Sequence, residues 1–288
     1  MSEPQRYFAP TSIESALECL KDGDVTILAG GTDLTPQSQA GRVKFGHTLM
    51  NIRHIAQLSG IRLEGDEIFI SALSTMTEVM EHPLVQAHLP VLAEACNHFA
   101  SDQIRNVGTI GGNICNASPA GDTLVALLVL DARVVLASMP EKALHRQLMP
   151  LASFLVGPGK TRRLPGELVT GVRIALPQAH HVARFYKHGM RPALDIATIS
   201  IGIAGTLSHG ALTNVRVAFG AVASTAIRAT QVEMALEGQV LDEDCIERVA
   251  SIARSEVKPI DDVRASAWYR QEMIHNITKR ILSHVAQA

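Results

Sequence analysis

Thr109-Ile110-Gly111-Gly112-Asn113-Ile114-Cys115-Asn116-Ala117-Ser118-Pro119-Ala120-Gly121-Asp122 is a turn-rich segment set between two apolar regions. It carries three glycines, two asparagines, a serine, a threonine and an aspartate. A glycine pair has no Cβ to hold a ligand away, so its backbone N–H groups can approach a phosphate closely. A second segment of this kind, Ala29-Gly30-Gly31-Thr32-Asp33, follows an apolar run far upstream. Two segments rich in short hydroxyl and amide side chains predict two walls around one large, polar, phosphorylated ligand.

The chain has 288 residues, enough for two domains. Apolar residues make up 47% and charged residues only 19%, below the usual quarter, so a sizeable core is expected. The net charge is −2 with Lys and Arg evenly spread, which leaves no electrostatic footprint for nucleic acid. No apolar run is long enough to span a membrane, so no membrane insertion is expected. Met1-Ser2-Glu3-Pro4-Gln5-Arg6 lacks both a basic stretch and an apolar stretch of the export type, and the expectation is a cytoplasmic protein. Cys19, Cys96, Cys115 and Cys245 are far apart with no C-x-x-C, which predicts buried thiols and no iron–sulfur cluster held by this chain alone.

Local patterns set out the elements. Thr11-Ser12-Ile13-Glu14 matches a capping box, Ile13, Ala16, Leu17 and Leu20 keep helical spacing, and Lys21 and Gly23 close the helix. Val25 to Ala29 reads as a buried strand that delivers the first glycine segment at its C-terminal end, where α/β sheets place ligands. A strand is expected at 47–52, a hairpin at 61–64 and 67–72, and a helix capped by Thr75-Met76-Thr77-Glu78. Another helix covers 90–99, Asp122 opens an apolar helix over 123–130, and 133–138 returns as a strand. The 157–166 stretch reads as an irregular loop, 168–176 as a strand and 177–181 as a linker. Strands at 183–188, 198–207 and 211–221, then helices near 226–237, 242–256 and 265–285, suggest a separate α+β unit.

Familiar motifs fail on inspection. Gly157-Pro158-Gly159-Lys160-Thr161 has the look of a phosphate-binding loop, yet Phe154 stands where that motif needs its first glycine. Neither glycine segment contains G-x-G-x-x-G, which argues against a Rossmann domain. The twelve histidines form no H-x-x-x-H, and no metal site is expected. Singly, Asp122 reads as a helix cap, Asn113 and Asn116 as turn residues, Phe99 as core and Lys187 as a solvated strand residue. Their order along the chain is the signal.

That order resembles the FAD-binding medium subunit of the molybdenum hydroxylases, the group containing xanthine, nicotinate and carbon monoxide dehydrogenases. The likeness runs from Ile27-Leu28-Ala29-Gly30-Gly31-Thr32-Asp33-Leu34 through Gln103-Ile104-Arg105-Asn106-Val107-Gly108-Thr109-Ile110-Gly111-Gly112-Asn113 and Ala117-Ser118-Pro119 to Asp122. It continues in Gly157–Thr161, Glu167-Leu168-Val169, Phe185-Tyr186-Lys187 and Asp195-Ile196-Ala197. In detail the chain is most similar to the separate FAD-binding subunit of bacterial xanthine dehydrogenases. The resemblance implies an α+β fold: an FAD-binding type 2, vanillyl-alcohol-oxidase-like α/β domain of two subdomains over 1–177. A C-terminal flavoprotein domain over 178–288 then packs a small antiparallel sheet on three helices.

The resemblance further implies FAD lying extended between the subdomains, on Ile27, Leu28, Ala29, Gly30, Gly31, Thr32, Asp33, Leu34, Thr109, Ile110, Gly111, Gly112 and Asn113. Backbone N–H groups and short side chains of those two segments would meet the pyrophosphate and its neighbours. Asn116 and Asp122 match cofactor-bonding positions, Leu168 or Val169 offers main-chain contact, and Phe99 and Lys187 stand beside the flavin. Gly31 replaces an asparagine and Asn116 a threonine of animal relatives, and Leu194 stands near an acidic loop position. The implied role is an oxidoreductase subunit without a catalytic base or metal of its own. It would take electrons from an iron–sulfur small subunit, served by a molybdenum-cofactor large subunit, and pass them to an acceptor such as NAD within a heterotrimer. Related nicotinate, aldehyde or carbon monoxide dehydrogenases are alternatives. A cofactor-free scaffold would have lost the glycine pairs, and a stand-alone flavin oxidase would need a larger C-terminal domain.

Overall fold

The computed structural model describes residues 3–191 and 193–287. Three strands, β1 (Arg6–Phe8), β2 (Val25–Leu28) and β3 (Thr48–Asn51), form a parallel sheet in the order β1-β3-β2. Helix α1 (Ile13–Lys21) buries Ile13, Ala16, Leu17 and Leu20 as its spacing predicts. Its cap is Ser12, whose hydroxyl accepts from Ser15 N, so the expected box on Thr11 lies one residue early. The short helix α2 (Leu34–Gln39), absent from the sequence reading, starts directly after the first glycine segment.

The second sheet is antiparallel, with the order β4-β5-β10-β6-β7. Its strands are β4 (Ile61–Glu64), β5 (Glu67–Ser71), β6 (Arg133–Ser138), β7 (His145–Pro150) and, after a small hairpin of β8 (Leu155–Gly157) and β9 (Lys160–Thr161), β10 (Leu168–Ala175). That hairpin occupies part of the stretch expected to be irregular. Between β5 and β6 run α3 (Met76–Glu81), α4 (Pro83–His88), α5 (Pro90–Asn97), α6 (Asp102–Arg105), α7 (Ile110–Asn116) and α8 (Asp122–Val129). The capping box at Thr75 forms as read: Thr75 Oγ1 accepts from Glu78 N (3.2 Å) and Glu78 Oε2 accepts from Thr75 N (2.7 Å). The segment read as turn-rich holds α7. Thr109 caps it by accepting from Gly112 N, and Ala117 ends it in the left-handed region.

After the short α9 (Leu151–Phe154), the remaining elements belong to a third sheet and its helices. Strands β11 (His181–His188), β12 (Ile199–Ser208), β13 (Ala211–Gly220) and β14 (Ile227–Arg228) pair antiparallel in that order, and β15 (Gln239–Val240) lies beside β13. Helices α10 (Thr230–Leu236), α11 (Glu243–Glu256) and α12 (Ala267–Ala286) share one apolar core with this sheet. A small antiparallel sheet on three helices is what the resemblance implied.

Helix α8 joins the two halves. All eight of its residues are buried, and it is apolar on every side except at Asp122 and Thr123, the mark of a helix enclosed by protein. Its core extends into Ala183, Phe185, Ala204 and Ala218 of the third sheet. A Cβ at Gly202 would lie 3.0 Å from Val125 Cγ1, and one at Gly220 would lie 2.9 Å from Val125 Cγ2. Glycine on both strands lets the helix settle directly on the sheet.

The 258–266 connection is held by Arg270, buried in α12, which donates to Ile260 O (3.1 Å) and Asp262 Oδ1 (2.8 Å). Hydrogen bonding to Arg270 is the main cause that holds the Asp262 carboxyl at about 2, below its ordinary 3.8. Arg270→Met should cost about 1 kcal/mol in urea unfolding at neutral pH, since it removes the hydrogen bonds to Ile260 O and to an exposed carboxylate that water can then solvate. A depressed pKa stabilises the fold above the unfolded value and loses that contribution as pH falls. The stability gap between wild type and Asp262→Asn should therefore close as pH is lowered from about 4 to about 2.

Candidate functional site

A cavity of about 1140 Å³ opens between the first sheet, the starts of α7 and α8, the β8–β9 hairpin, the start of β10 and the loop after β11. Both glycine segments line it. So do Phe99, Asn116, Asp122, Leu168 and Val169, so the structure gathers sixteen of the nineteen residues singled out from sequence. The other three stand behind its walls. Leu28 packs under Gly31, Ile110 is fully buried, and Lys187 reaches the site only through Asp122.

The first wall turns sharply after β2, with Gly31 at φ +73°. No acceptor among the described residues takes the N–H of Gly31, Thr32 or Asp33. Successive free N–H groups around a left-handed residue form a concave anion nest. Arg42, with no acidic partner among the described residues, stands in the same cavity. Gly30 serves a different purpose: a Cβ there would overlap the Val107 carbonyl oxygen, so its bareness lets the two segments pack backbone to backbone.

The second wall works differently from what the resemblance implied. At the start of α7, Ile110 N donates to Ser74 O (3.0 Å), Gly111 N to Ala72 O (2.9 Å), Gly112 N to Thr109 Oγ1 (3.1 Å) and Asn113 N to Thr109 O (2.9 Å). Those four N–H groups are committed to the fold. The side-chain amides remain for a ligand. Asn113 Oδ1 accepts from Thr123 Oγ1 (2.6 Å) and Asn116 Oδ1 from Gln37 Nε2 (3.1 Å), so each Asn retains its NH₂ group as a donor.

Gln37 escaped the sequence reading. Its amide donates both to Asp33 and to Asn116, clamping one wall to the other. Only the helical i,i+4 spacing from Asp33 hints at it.

From its first turn α8 contributes Asp122 to the lining of the cavity, with Gly121 rather than Asp122 in the capping position. Asp122 Oδ2 accepts from Lys187 Nζ (2.7 Å), which also donates to His98 O (2.9 Å). The side chains are only 6% and 8% exposed, so Lys187 is a buried cation and not the solvated residue that a lysine is by default. Asp122 Oδ1 is buried with no partner. Burial pushes this carboxyl up to about 6, against the pull of Lys187.

The cavity offers donors, a cation and a lone carboxylate oxygen, but no activated nucleophile. Burial raises the Cys115 thiol to about 11 and Cys96 to about 12, leaving both protonated at neutral pH. Among the described residues no cluster of His, Cys, Asp and Glu is placed to hold a metal, and no helix is long and apolar enough to cross a membrane.

Residues 3–178 match the family model described as FAD binding domain in molybdopterin dehydrogenase, and residues 184–285 match CO dehydrogenase flavoprotein C-terminal domain. The xanthine dehydrogenase FAD-binding subunit of Escherichia coli O157:H7 is 31% identical over 98% of this chain and 96% of its own length. The nicotinate dehydrogenase FAD-subunit of Eubacterium barkeri is 34% identical, over 96% and 94%. A solved carbon monoxide dehydrogenase from Hydrogenophaga pseudoflava superposes with a TM-score of 0.91 at 30% identity, covering 97% of this chain and 96% of that one.

The two adjacent glycines of α7 should separate in a substitution test. A Cβ at Gly111 would press on Ala72 O (2.8 Å), whereas one at Gly112 would meet only the Thr109 hydroxyl (2.9 Å). Gly111→Ala is expected to cost about 3 kcal/mol in urea unfolding and Gly112→Ala about 1 kcal/mol.

Proposed function

We propose, from the premise that this chain belongs to the FAD-binding family of the molybdopterin dehydrogenases, that it is the flavin subunit of a xanthine-dehydrogenase-type molybdenum hydroxylase. The cofactor is FAD, and the chain is an oxidoreductase component. The observation that carries the placement is one cavity with free N–H groups in its first wall and, in the same lining, a buried carboxylate with an unpartnered oxygen. A pyrophosphate suits the first, and the hydrogen-bond donors of a flavin or its ribityl chain suit the second. The donor set therefore fits an extended dinucleotide.

In this reading the N–H groups of Gly31, Thr32 and Asp33 hold the pyrophosphate, and Arg42 adds positive charge. The Asn113 and Asn116 amides bond the chain between phosphate and ring. Phe99 and the start of β10 at Leu168 and Val169 flank the ring and exclude water. Lys187 sets the charge at Asp122. Bound flavin supplies the exchange between one- and two-electron chemistry, and the protein positions it. Electrons come from the iron–sulfur clusters of a small partner after oxidation of substrate on a molybdenum-bearing large partner, and NAD accepts a hydride. A cytoplasmic heterotrimer, divided here into a cofactor domain of 1–177 and a flavoprotein domain of 178–288, completes the reading. A second reading, the flavin subunit of a nicotinate dehydrogenase, is favoured by the 34% identity of that relative.

Coexpression with the two partner subunits tests it. The chain should purify yellow and release about one FAD per chain on denaturation, the stoichiometry of one such cavity. A colourless complex would sink the reading. Gly112→Val should weaken FAD binding about tenfold or more while the apo-protein stays folded, because the added bulk stands at the cavity wall.

A further inference from the structure

Gln37 stands where three parts of the large cavity meet. Its backbone N–H donates to Asp33 O (3.0 Å), and its carbonyl accepts from Arg42 N (2.9 Å) and Val43 N (3.3 Å). Those bonds tie the first glycine segment to the loop that carries Arg42 and Val43 into the lining. The side chain crosses to the second wall. Its Nε2 donates to Asp33 Oδ2 and to Asn116 Oδ1 (3.1 Å), so both protons of that nitrogen are used. Gln37 Oε1 and the NH₂ group of Asn116 have no partner among the described residues, and both residues line the cavity.

A side-chain amide carries a donor and an acceptor of nearly the same shape, so its neighbours decide which end faces which way. Here the order is forced. A carboxylate only accepts, so Asp33 demands the NH₂ end of Gln37. The same nitrogen faces Asn116, which must answer with its oxygen. Turning Asn116 round would set two NH₂ groups against each other. The NH₂ group of Asn116 is therefore the end left over for a ligand.

We propose that Asp33 and Gln37 form a polarity relay: the carboxylate in the first wall makes Asn116, in the second wall, a hydrogen-bond donor, and that donor takes an oxygen of the flavin-side phosphate. This rests on the proposed function and deepens it, with Gln37 as a positioning residue that acts through Asn116. The choice of phosphate follows from closeness. One side chain separates Asn116 from Asp33, whose own N–H belongs to the anion nest of the first wall. A phosphate oxyanion has no proton to give, so only donors can hold it, and a wall that showed it an amide oxygen would repel it. The phosphate is thereby gripped from both sides, by backbone N–H groups on one wall and by an oriented amide on the other.

The test titrates FAD into the full apo-chain and follows flavin fluorescence, with urea unfolding of each apo-variant as the control for folding. Gln37→Met keeps the length of the side chain and removes its polar end. It should weaken FAD binding about tenfold, the loss expected when a phosphate forfeits an oriented donor. In an Asn116→Ala background the same change should alter FAD binding by less than about twofold, because Gln37 acts through Asn116. Asp33→Ala removes a negative charge beside the phosphate, which by charge alone would tighten binding. The relay predicts the opposite, a loss of about threefold, because the Gln37 amide is then free to turn. A Gln37→Met loss that persists undiminished in Asn116→Ala would reduce Gln37 to a structural clamp and overturn the relay. So would unchanged or tighter binding in Asp33→Ala, or wild-type affinity in Gln37→Met, each leaving the flavin reading intact. A wild-type chain that binds no FAD would overturn both.

Discussion

A helix with no exposed face that begins with a charged residue is the constraint around which this molecule is arranged. Helix α8 buries seven apolar or hydroxyl side chains after Asp122, and each large one contributes about 1.5–3 kcal/mol by leaving water. That gain draws the second and third sheets onto the same helix and fixes the helix start at the wall of the large cavity. Asp122 is buried as a consequence, and a buried carboxylate needs a cation. Lys187, on a strand of the other domain, provides it. Removing either partner would leave the other charge buried and uncompensated, a strongly destabilising state.

The two glycine segments divide the work of the site. Gly30 and Gly111 are bare because backbone presses against them, and each locks a wall in place. Gly31 and its successors leave N–H groups free, while the start of α7 has already committed its own. Similar composition has therefore produced an anion nest in one wall and a rigid buttress with side-chain amides in the other. Gln37 holds the two at a set separation.

The same logic explains why the cavity lining, among the described residues, holds no acid–base pair of the hydrolytic kind. Its thiols are protonated, and the carboxyl that burial raises to about 6, Asp122, lines the cavity beside a lysine. Everything the chain contributes is placement and charge around a bound group that performs the redox step.

Local signals were enough for much of this. The capping box at Thr75, the amphipathic spacing of α1, the 61–71 hairpin and the three C-terminal helices were legible because each is settled by neighbours in sequence. So was the ordered pattern of glycines, asparagines and aspartate that marks the family. Other features depend on contacts between distant residues. Strand β7 is polar and mostly exposed, and it exists because β6 offers it an edge. Helix α7 forms despite two glycines because Thr109 caps it and Ala72 and Ser74 receive its first N–H groups. Lys187 reads as solvated by its residue type, and only the assembled fold, with a partner 65 positions away, shows it buried and paired on the Ala183 and Phe185 face of its strand. Composition and periodicity determined most of the elements, and the glycine segments the expectation of a phosphorylated ligand. Which N–H groups stay free, and which charge is trapped beside which, only the tertiary structure decided, because burial and pairing are properties of the assembled chain.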